Sequence, residues 1–457
     1  MEKKYLKTSE LLSFSFAGFG RSMIYTIMST FLLIFYTDAA GIKPVHAGII
    51  IFAARIFDAA NDPIMGVIAD KTRTKYGKLR PYLLFSPVLI MISTIALFWS
   101  PNCGYAGKVA YAAVTYVLWG VCFTIQDVPF WGMSAVVSPL ENERNKLIST
   151  ARIFCTVGGI VPTLVVPVLR SSMGYSKGYL LSGIIFGVCG ASLSLLAFFG
   201  TKERVTETKE KVTAGEIVSA FVKNKPLLLL ILSTVLGSTM LMIQTGGTYI
   251  STYLIKDSGI IPANTVQTAM TVAIGAGMLA AMVLMPIMRK KLSLKQIYII
   301  AAIVGAIAHL IIYFVGYSNF YVFLALLVFA GLPLGIFNVI TYAMIADSVD
   351  YLEWKTGRRS EGICFASQTF LSKLTAGIST LITSFTLEAI NFQEPVDDVP
   401  ILDQPESVFN GLFFMITIVP MIGLALCAIP MFFNDFTGKK KDDIIAELAA
   451  RRGNIDG

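Results

Sequence analysis

The chain has 457 residues, of which 55% are hydrophobic and 14% charged, with a mean hydropathy of +0.69. A soluble domain with one core has no use for so much apolar surface, so that class is excluded. The net charge of +8 suits an acidic partner at first sight, but the Lys and Arg gather in particular loops, which points to membrane orientation and not to nucleic acid.

Windows of about twenty apolar residues, the length that crosses a bilayer, fall at 13–36, 45–69, 81–99, 109–135, 151–170, 179–200, 227–254, 264–288, 296–315, 320–346, 363–390 and 408–433. These twelve spans predict an all-α membrane protein. The first dozen residues are polar, and the first apolar run is too long for a signal-peptide core and lacks a small-residue cleavage site, so it is expected to remain as helix 1. Helix 1 carries Arg21 and a glycine pair in GFG at 18–20, whose plain reading is close helix packing.

Helix 2 contains Arg55, Asp58, Asn61 and Asp62 in an otherwise apolar run. A charge near the bilayer centre costs about 2.5–3.5 kcal/mol on insertion scales, so these groups must face protein or water and have partners. At about 100° per residue, Asp58 and Asp62 lie about 40° apart on one face, with Asn61 beside them. Two adjacent carboxylates repel, so one must be protonated or both must share a cation. A hard monovalent cation such as Na⁺ seeks several oxygen ligands, which Asp58, Asp62, the Asn61 amide and a hydroxyl from a facing helix can supply.

Helix 4 offers that hydroxyl in WGVCFTIQDVPFWGM, where Gly120, Thr124, Asp127 and Trp131 recur along one stripe. Thr124 can complete an oxygen cage, Asp127 can accept hydrogen bonds from vicinal hydroxyls, and Trp131 offers a flat apolar face to a pyranose ring. Pro129 removes the regular backbone bond to Ile125 and loosens the helix there. Further cations lie within helices: Arg152 on helix 5 and Lys373 on helix 11. Static ion pairs between helices are the plain reading of any single pair, but the number of charges at one depth argues for a transport path.

The polar stretch 201–225 divides the chain into two six-helix bundles, 1–200 and 226–434, followed by a tail at 435–457. Parallel-repeat transporters share this layout. A weak internal echo links SPLENERNK after helix 4 to ADSVDYLEWKTGRRSE after helix 10. The loop after helix 2 (Lys71, Arg73, Lys75, Lys78, Arg80), the loop after helix 8 (Arg289, Lys290, Lys291, Lys295) and the tail (Lys439, Lys440, Lys441, Arg451, Arg452) are basic, whereas the loop before helix 12 is acidic, so both termini are expected to be cytoplasmic. The tail reads as a short amphipathic cap, solvated or interfacial. Gly246 and Gly247 read as packing glycines, and the six cysteines and two histidines suggest neither disulfides nor a metal centre. No phosphate loop and no HExxH is present, so no machinery for ATP-driven transport or metal hydrolysis is visible.

The segments RIFDAANDPIMGVIADKTRTKYGKLRPYLLF, QDVPFWG, ENERNKL followed by Arg152, and ADSVDYLEWKTGRRSEGICFASQTFLSK resemble the glycoside-pentoside-hexuronide:cation symporters, in particular their melibiose-permease-like branch. The resemblance spans nearly the whole chain and implies a major facilitator superfamily fold and cation-coupled sugar uptake by alternating access. Position by position it implies Asp58, Asn61, Asp62 and Thr124 as cation ligands, Asp127, Trp131 and Arg152 as sugar-site residues, and Lys373 as the lysine facing the cation site. The branch has a lysine and a sugar-binding aspartate on helix 1, where this chain has Arg21 and Ser22, and an aromatic position on helix 10 is Asn338; Arg21 and Asn338 are carried as sugar-site candidates. GVIADKTRTKYGK is similar to the superfamily signature after helix 2, which implies that Asp70 joins a cytoplasmic charge latch. Charge clustering extends that gate to Glu143, Arg144, Asp347, Asp350, Glu353, Arg358 and Arg359, against the bland alternative of a solvated basic loop.

The expectation is therefore an electrogenic symporter in the inner cell membrane, functional as a monomer, and not an enzyme. It carries a glycoside, oligosaccharide or hexuronide with Na⁺, or alternatively with H⁺ or Li⁺, and needs no cofactor. Rival readings are a proton-coupled carrier and, on the same scaffold, an amphiphile or lipid carrier; a non-transporting sensor has only the long central loop in its favour.

Overall fold

The computed structural model describes residues 5–204, 223–255, 263–357, 361–393 and 403–453. Every regular element among them is helical, and one isolated bridge joins Thr74 and Gly77. This follows from the bilayer, where a helix satisfies every backbone group within one segment. In order the helices are α1 (Thr8–Asp38), α2 (Pro44–Lys71), α3 (Arg80–Leu97), α4 (Tyr105–Val136), α5 (Glu141–Met173), α6 (Tyr175–Ser194) and the short α7 (Leu196–Gly200). Then come α8 (Lys225–Leu236), α9 (Met242–Thr245), α10 (Gly247–Tyr249), α11 (Ala263–Arg289), α12 (Leu294–Val315), α13 (Phe320–Thr356), α14 (Glu361–Ala389), α15 (Glu406–Phe432) and the tail helix α16 (Gly438–Gly453).

Among the described residues eleven helices, counting the stretch Lys225–Leu254 as one, are long and apolar enough to span a membrane. α2 stands outside that set. It is 28 residues long but carries Arg55, Asp58 and Asp62 within its length.

The chain forms two compact units, the first made of Met1–Lys209, Ser251–Thr268 and Ser384–Val408 and the second of Glu210–Ile250, Ala269–Thr383 and Phe409–Gly457. In the first unit α1 packs against α5 and α6, α2 against α4, and α3 against α4 and α6. A Cβ on Gly20 would stand 2.6 Å from the Gly190 carbonyl, so α1 and α6 touch backbone to backbone as the sequence suggests for GFG. Phe14 and Phe130 stack at 4.3 Å beneath the core of Ala17, Met133 and Ala151. Two residues of the Ser251–Thr268 segment are tied in: Tyr253 donates to Asp38 Oδ2 at 2.6 Å, and Arg170 Nη2 donates to Thr252 Oγ1 at 3.0 Å.

Charges close the ends of this unit. The Glu203 carboxylate accepts the backbone N–H groups of Lys78, Leu79 and Arg80 at 2.7–2.9 Å, an anion on the first turn of α3 where orphan donors point. Arg204 pairs with Glu10 at 2.8 Å. Glu143 accepts from Tyr5 N, Leu6 N and Ser138 Oγ, which fastens the N-terminal segment to the start of α5.

In the second unit α12 and α13 pack along their length over a core that includes Tyr298, Ile340, Leu424 and Met431. Ser293 and Gln296 form a reciprocal cap on α12, and Asn319 accepts from Tyr321 N and Val322 N to start α13. The stretch from Gly237 to Leu254 is irregular, passing through 3-10, α and π turns. A Cβ on Gly246 would lie 2.7 Å from Met415 Cε, so that glycine permits close packing on α15. The tail helix does not float as a solvated cap: Ile444 and Leu448 bury against Tyr351 and Phe436, Lys441 pairs with Asp347 at 2.5 Å, and Trp354 Nε1 donates to Glu447 at 2.7 Å.

Candidate functional site

α2 and α4 lie side by side with matching turns. Asp58 stands opposite Gly120, and Asp62, one turn on, stands opposite Thr124, one turn beyond Gly120. Thr124 Oγ1 donates to Asp62 Oδ1 at 2.9 Å. Asp58 Oδ1 occupies the space that a side chain at position 120 would fill, and any Cβ there would overlap it. Asp58 is 4% exposed and Thr124 1%, so the pair sits in a dry environment. Asn61 and Asp62 are half-buried. Pro63 has no N–H to give the Ala59 carbonyl one turn back, which leaves a backbone oxygen beside the two carboxylates without its regular helical donor.

Arg55, also 4% exposed, precedes Asp58 by nearly one turn and feels its charge. Its guanidinium donates to Tyr25 Oη at 3.4 Å, reaches Met28 Sδ at 3.6 Å, and stands 5.6 Å from the centroid of the Tyr25 ring. The interior of α2 thus presents one cation, Arg55, and two anions, Asp58 and Asp62. The donor set of two carboxylates, an amide and a hydroxyl fits a hard monovalent ion. Among the described residues no group of three or more His, Cys, Asp or Glu gathers as a transition-metal centre.

Farther along α4 the stripe changes character. Arg21 from α1 forms an ion pair with Asp127, with side chains 12% and 24% exposed. The Arg21 guanidinium lies 5.3–5.6 Å from the ring centroids of Phe123, Phe130 and Trp131. Arg152 from α5 stands over the same Trp131 ring at 5.1 Å. Asp127 Oδ1 is therefore engaged by a guanidinium. Trp131 likewise carries guanidinium groups, so a pyranose stacked on it would displace or share with one of them.

The remaining candidates are spread more widely. Lys373 is half-buried on α14, and Asn338 is exposed on α13 with its amide donating to Leu334 O at 2.9 Å; both belong to the second unit. Of the gate candidates, Arg144 is half-buried in the first turn of α5, Asp350 and Glu353 lie near the end of α13, and Asp347 pairs with Lys441 of the tail helix. Arg358, Arg359 and the side chain of Asp70 lie outside the described residues. Glu143 is occupied in holding its own N-terminal segment. Sequence reasoning missed Glu203, Arg204 and Glu10, whose partners are far away in the chain; the acidic residue just after an apolar span was the only available signal.

The histidines are separate: His46 Nδ1 meets Tyr105 Oη at 2.6 Å on the surface, and the buried His309 Nδ1 meets Gly305 O at 2.8 Å. Cys103, Cys122, Cys155, Cys189 and Cys427 are free thiols.

Residues 13–438 match the family described as MFS/sugar transport protein. The uncharacterized symporter YjmB of Bacillus subtilis (strain 168) is 30% identical over 98% of this chain and 95% of its own length. The glucuronide carrier protein homolog of Escherichia coli (strain K12) is 25% identical over 97% and 95% of the two chains. The isoprimeverose transporter of Lactiplantibacillus pentosus is 26% identical over 95% and 90%. Among solved structures, the nucleoside transporter NupG aligns with a TM-score of 0.70 over 93% of this chain and 100% of its own, at 13% identity, a likeness of fold alone.

Proposed function

The chain belongs to the MFS/sugar transport protein family of symporters, and from that premise we propose that it couples uptake of a sugar to a monovalent cation held between α2 and α4. Na⁺ is the proposed cation, carried as cargo. The register that sets Asp58 and Asp62 against Gly120 and Thr124 supports this reading most, because it concentrates hard oxygens and excludes side-chain bulk at one spot.

Cation binding neutralises the carboxylates and steadies α4, whose next turns carry Asp127 and Trp131. Affinity for sugar then rises, and by linkage sugar tightens the cation by the same factor. In this reading Arg21, Asp127, Trp131 and Arg152 form the sugar subsite of the first unit, and Lys373 and Asn338 are the sugar-site candidates of the second. Asp70, Arg144, Asp347, Asp350, Glu353 and Arg359 serve as the gate on the basic face. The positive-inside pattern supports cytoplasmic termini for a protein of the inner membrane, and the functional unit in this reading is a monomer. The names of two relatives, a glucuronide carrier homolog and an isoprimeverose transporter, support a glycoside as substrate.

The test is sugar binding to purified protein with and without Na⁺ at fixed pH. Asp58→Asn is expected to abolish the Na⁺ stimulation while the protein keeps its fold; undiminished stimulation would remove Asp58 from the cation site. Uptake that follows pH and ignores Na⁺ would favour the proton-coupled alternative. An amphiphile carrier is disfavoured by the charged side chains gathered at Trp131.

A further inference from the structure

In the second unit, residues of α11, α12, α13 and the tail helix α16 line a cavity of about 150 Å³. A cavity of that volume holds a group the size of benzene, and a phosphate is no larger. The charged side chains on its walls are Arg289 from the last turn of α11, Lys295 from the first turn of α12, Lys441 from the tail helix and Asp347 from α13. Three cations thus face one carboxylate, which leaves two positive charges in excess. Asp347 is engaged by Lys441 at 2.5 Å and also feels the charge of Arg289, whose side chain is exposed. Lys295 Nζ gives two of its three N–H donors to the carbonyls of Phe432 and Asn434, both at 2.9 Å. Asp435, beside the wall residues Asn434 and Phe436, is balanced by Lys440 and Lys225.

We infer that this cavity binds a dianionic phosphate group, received by Arg289, Lys295 and Lys441. The charge selects that chemistry. A phosphate monoester carries about −1.5 to −2 at neutral pH, which meets the excess on the walls, whereas a carboxylate, a chloride ion or a phosphodiester brings one negative charge. The Arg289 guanidinium matches two phosphate oxygens at once, and the lysines act as point charges. Ser293, the cap of α12, also stands on the wall, so the positive end of that helix dipole adds to the field. A phosphate held by both Arg289 and Lys441 ties the end of α11 to the tail helix. Ile444 and Leu448 already seat that helix on Tyr351 and Phe436, and the ligand strengthens the docking. Two sources supply the group at the basic face of the protein: a solute such as inorganic phosphate, or the headgroup of phosphatidate, since basic pockets between membrane helices receive headgroups. The site lies apart from the Asp58–Asp62 pair of the first unit and does not depend on the symporter reading.

The experiment uses the purified full-length protein in phosphatidylcholine nanodiscs, with inorganic phosphate as the probe and chloride at equal ionic strength as the control. Phosphate is expected to slow hydrogen exchange across α16 saturably, and chloride is not. Arg289→Gln should weaken the phosphate midpoint roughly tenfold, the loss of one charge-assisted hydrogen bond, with Arg289→Lys in between and the melting temperature without phosphate unchanged. Lys290→Gln, next in the chain but off the cavity wall, should keep the native midpoint. In discs that contain phosphatidate, protection of α16 without added phosphate, lost in Arg289→Gln, assigns the site to the lipid headgroup; an undiminished response to phosphate assigns it to the solute. Discs with singly charged phosphatidylglycerol should behave like phosphatidylcholine, and equal protection by that lipid would overturn the dianion assignment. A native response in Arg289→Gln, or an α16 indifferent to both phosphate and phosphatidate, would overturn the inference.

Discussion

The α2–α4 face and the charged ends of the first unit use the same residue types for opposite purposes. At the ends, Glu203 caps the N–H groups that start α3, Arg204 pairs with Glu10, and Glu143 holds Tyr5 and Leu6. Each of these charges answers a backbone or side-chain need created by a helix terminus. Along α2 no terminus exists to be satisfied. Asp58 and Asp62 sit in the interior of a continuous helix, and the facing helix supplies a gap at Gly120 and a single hydroxyl at Thr124. Charge by itself therefore does not single out a site; the proposed cation site is distinguished by charge placed away from every helix end, opposite a missing side chain.

That contrast can be broken most severely at Gly120. Gly120→Ala introduces a methyl group onto Asp58 Oδ1. Overpacking of about 1–3 kcal/mol converts to roughly a 5- to 150-fold loss of Na⁺ affinity, readable by Na⁺ titration of sugar binding. A wild-type Na⁺ midpoint in this variant would show that the α2–α4 contact is only packing. At the other region, Glu203→Gln weakens the acceptor of three N–H groups and is expected to cost about 1–3 kcal/mol of stability. Thermal unfolding would fall while Na⁺ stimulation, measured below the transition, stays unchanged; a shifted Na⁺ midpoint would erase the distinction between the two regions.

Much of this was legible in the sequence, for reasons that differ by element. The helical stripe Gly120, Thr124, Asp127, Trp131 and the pair Asp58, Asp62 follow from one-turn spacing, which any regular helix preserves. The sliding of α2 against α4 that matches 58 to 120 and 62 to 124 is a tertiary fact and has no local signal. The partner of Asp127 was equally hidden, since Arg21, Arg55, Arg152 and Lys373 were all available by sign. The end of α13 at Thr356 lies beyond the apolar window that stops at 346, because Tyr351 and Leu352 keep a buried face while their neighbours turn polar. The docking of the tail, expected as a solvated or interfacial cap, has no local signal for a similar reason: Ile444 and Leu448 give it one apolar stripe, and a stripe does not say which surface receives it.

Smaller effects sharpen the same comparison. Thr124→Val keeps the shape and removes the hydroxyl from Asp62, with an expected loss of about 1 kcal/mol, or roughly fivefold in Na⁺ affinity. Unchanged affinity would leave Thr124 as packing. At the edge of the tail helix, Lys440 donates to Asp435 at 2.5 Å and holds that carboxyl below its ordinary range. A depressed carboxyl stabilises the fold above its unfolded pKa and loses that contribution as pH falls through the folded one. Both side chains are nearly half exposed, so Asp435→Asn is expected to change stability by no more than about 1 kcal/mol near neutral pH. That small difference should vanish on acidification; a difference that grows towards acid would contradict the sign.

In the proposed mechanism a cation at Asp58 and Asp62 raises affinity for sugar. The most direct measurement is the sugar dissociation constant over a range of Na⁺ at constant ionic strength and pH, in the native protein and in Asp58→Asn. Sugar is expected to bind at least tenfold more tightly with Na⁺ in the native protein, with the same factor when sugar is used to tighten Na⁺, and with no tightening in the variant. Equal tightening in both proteins would contradict it.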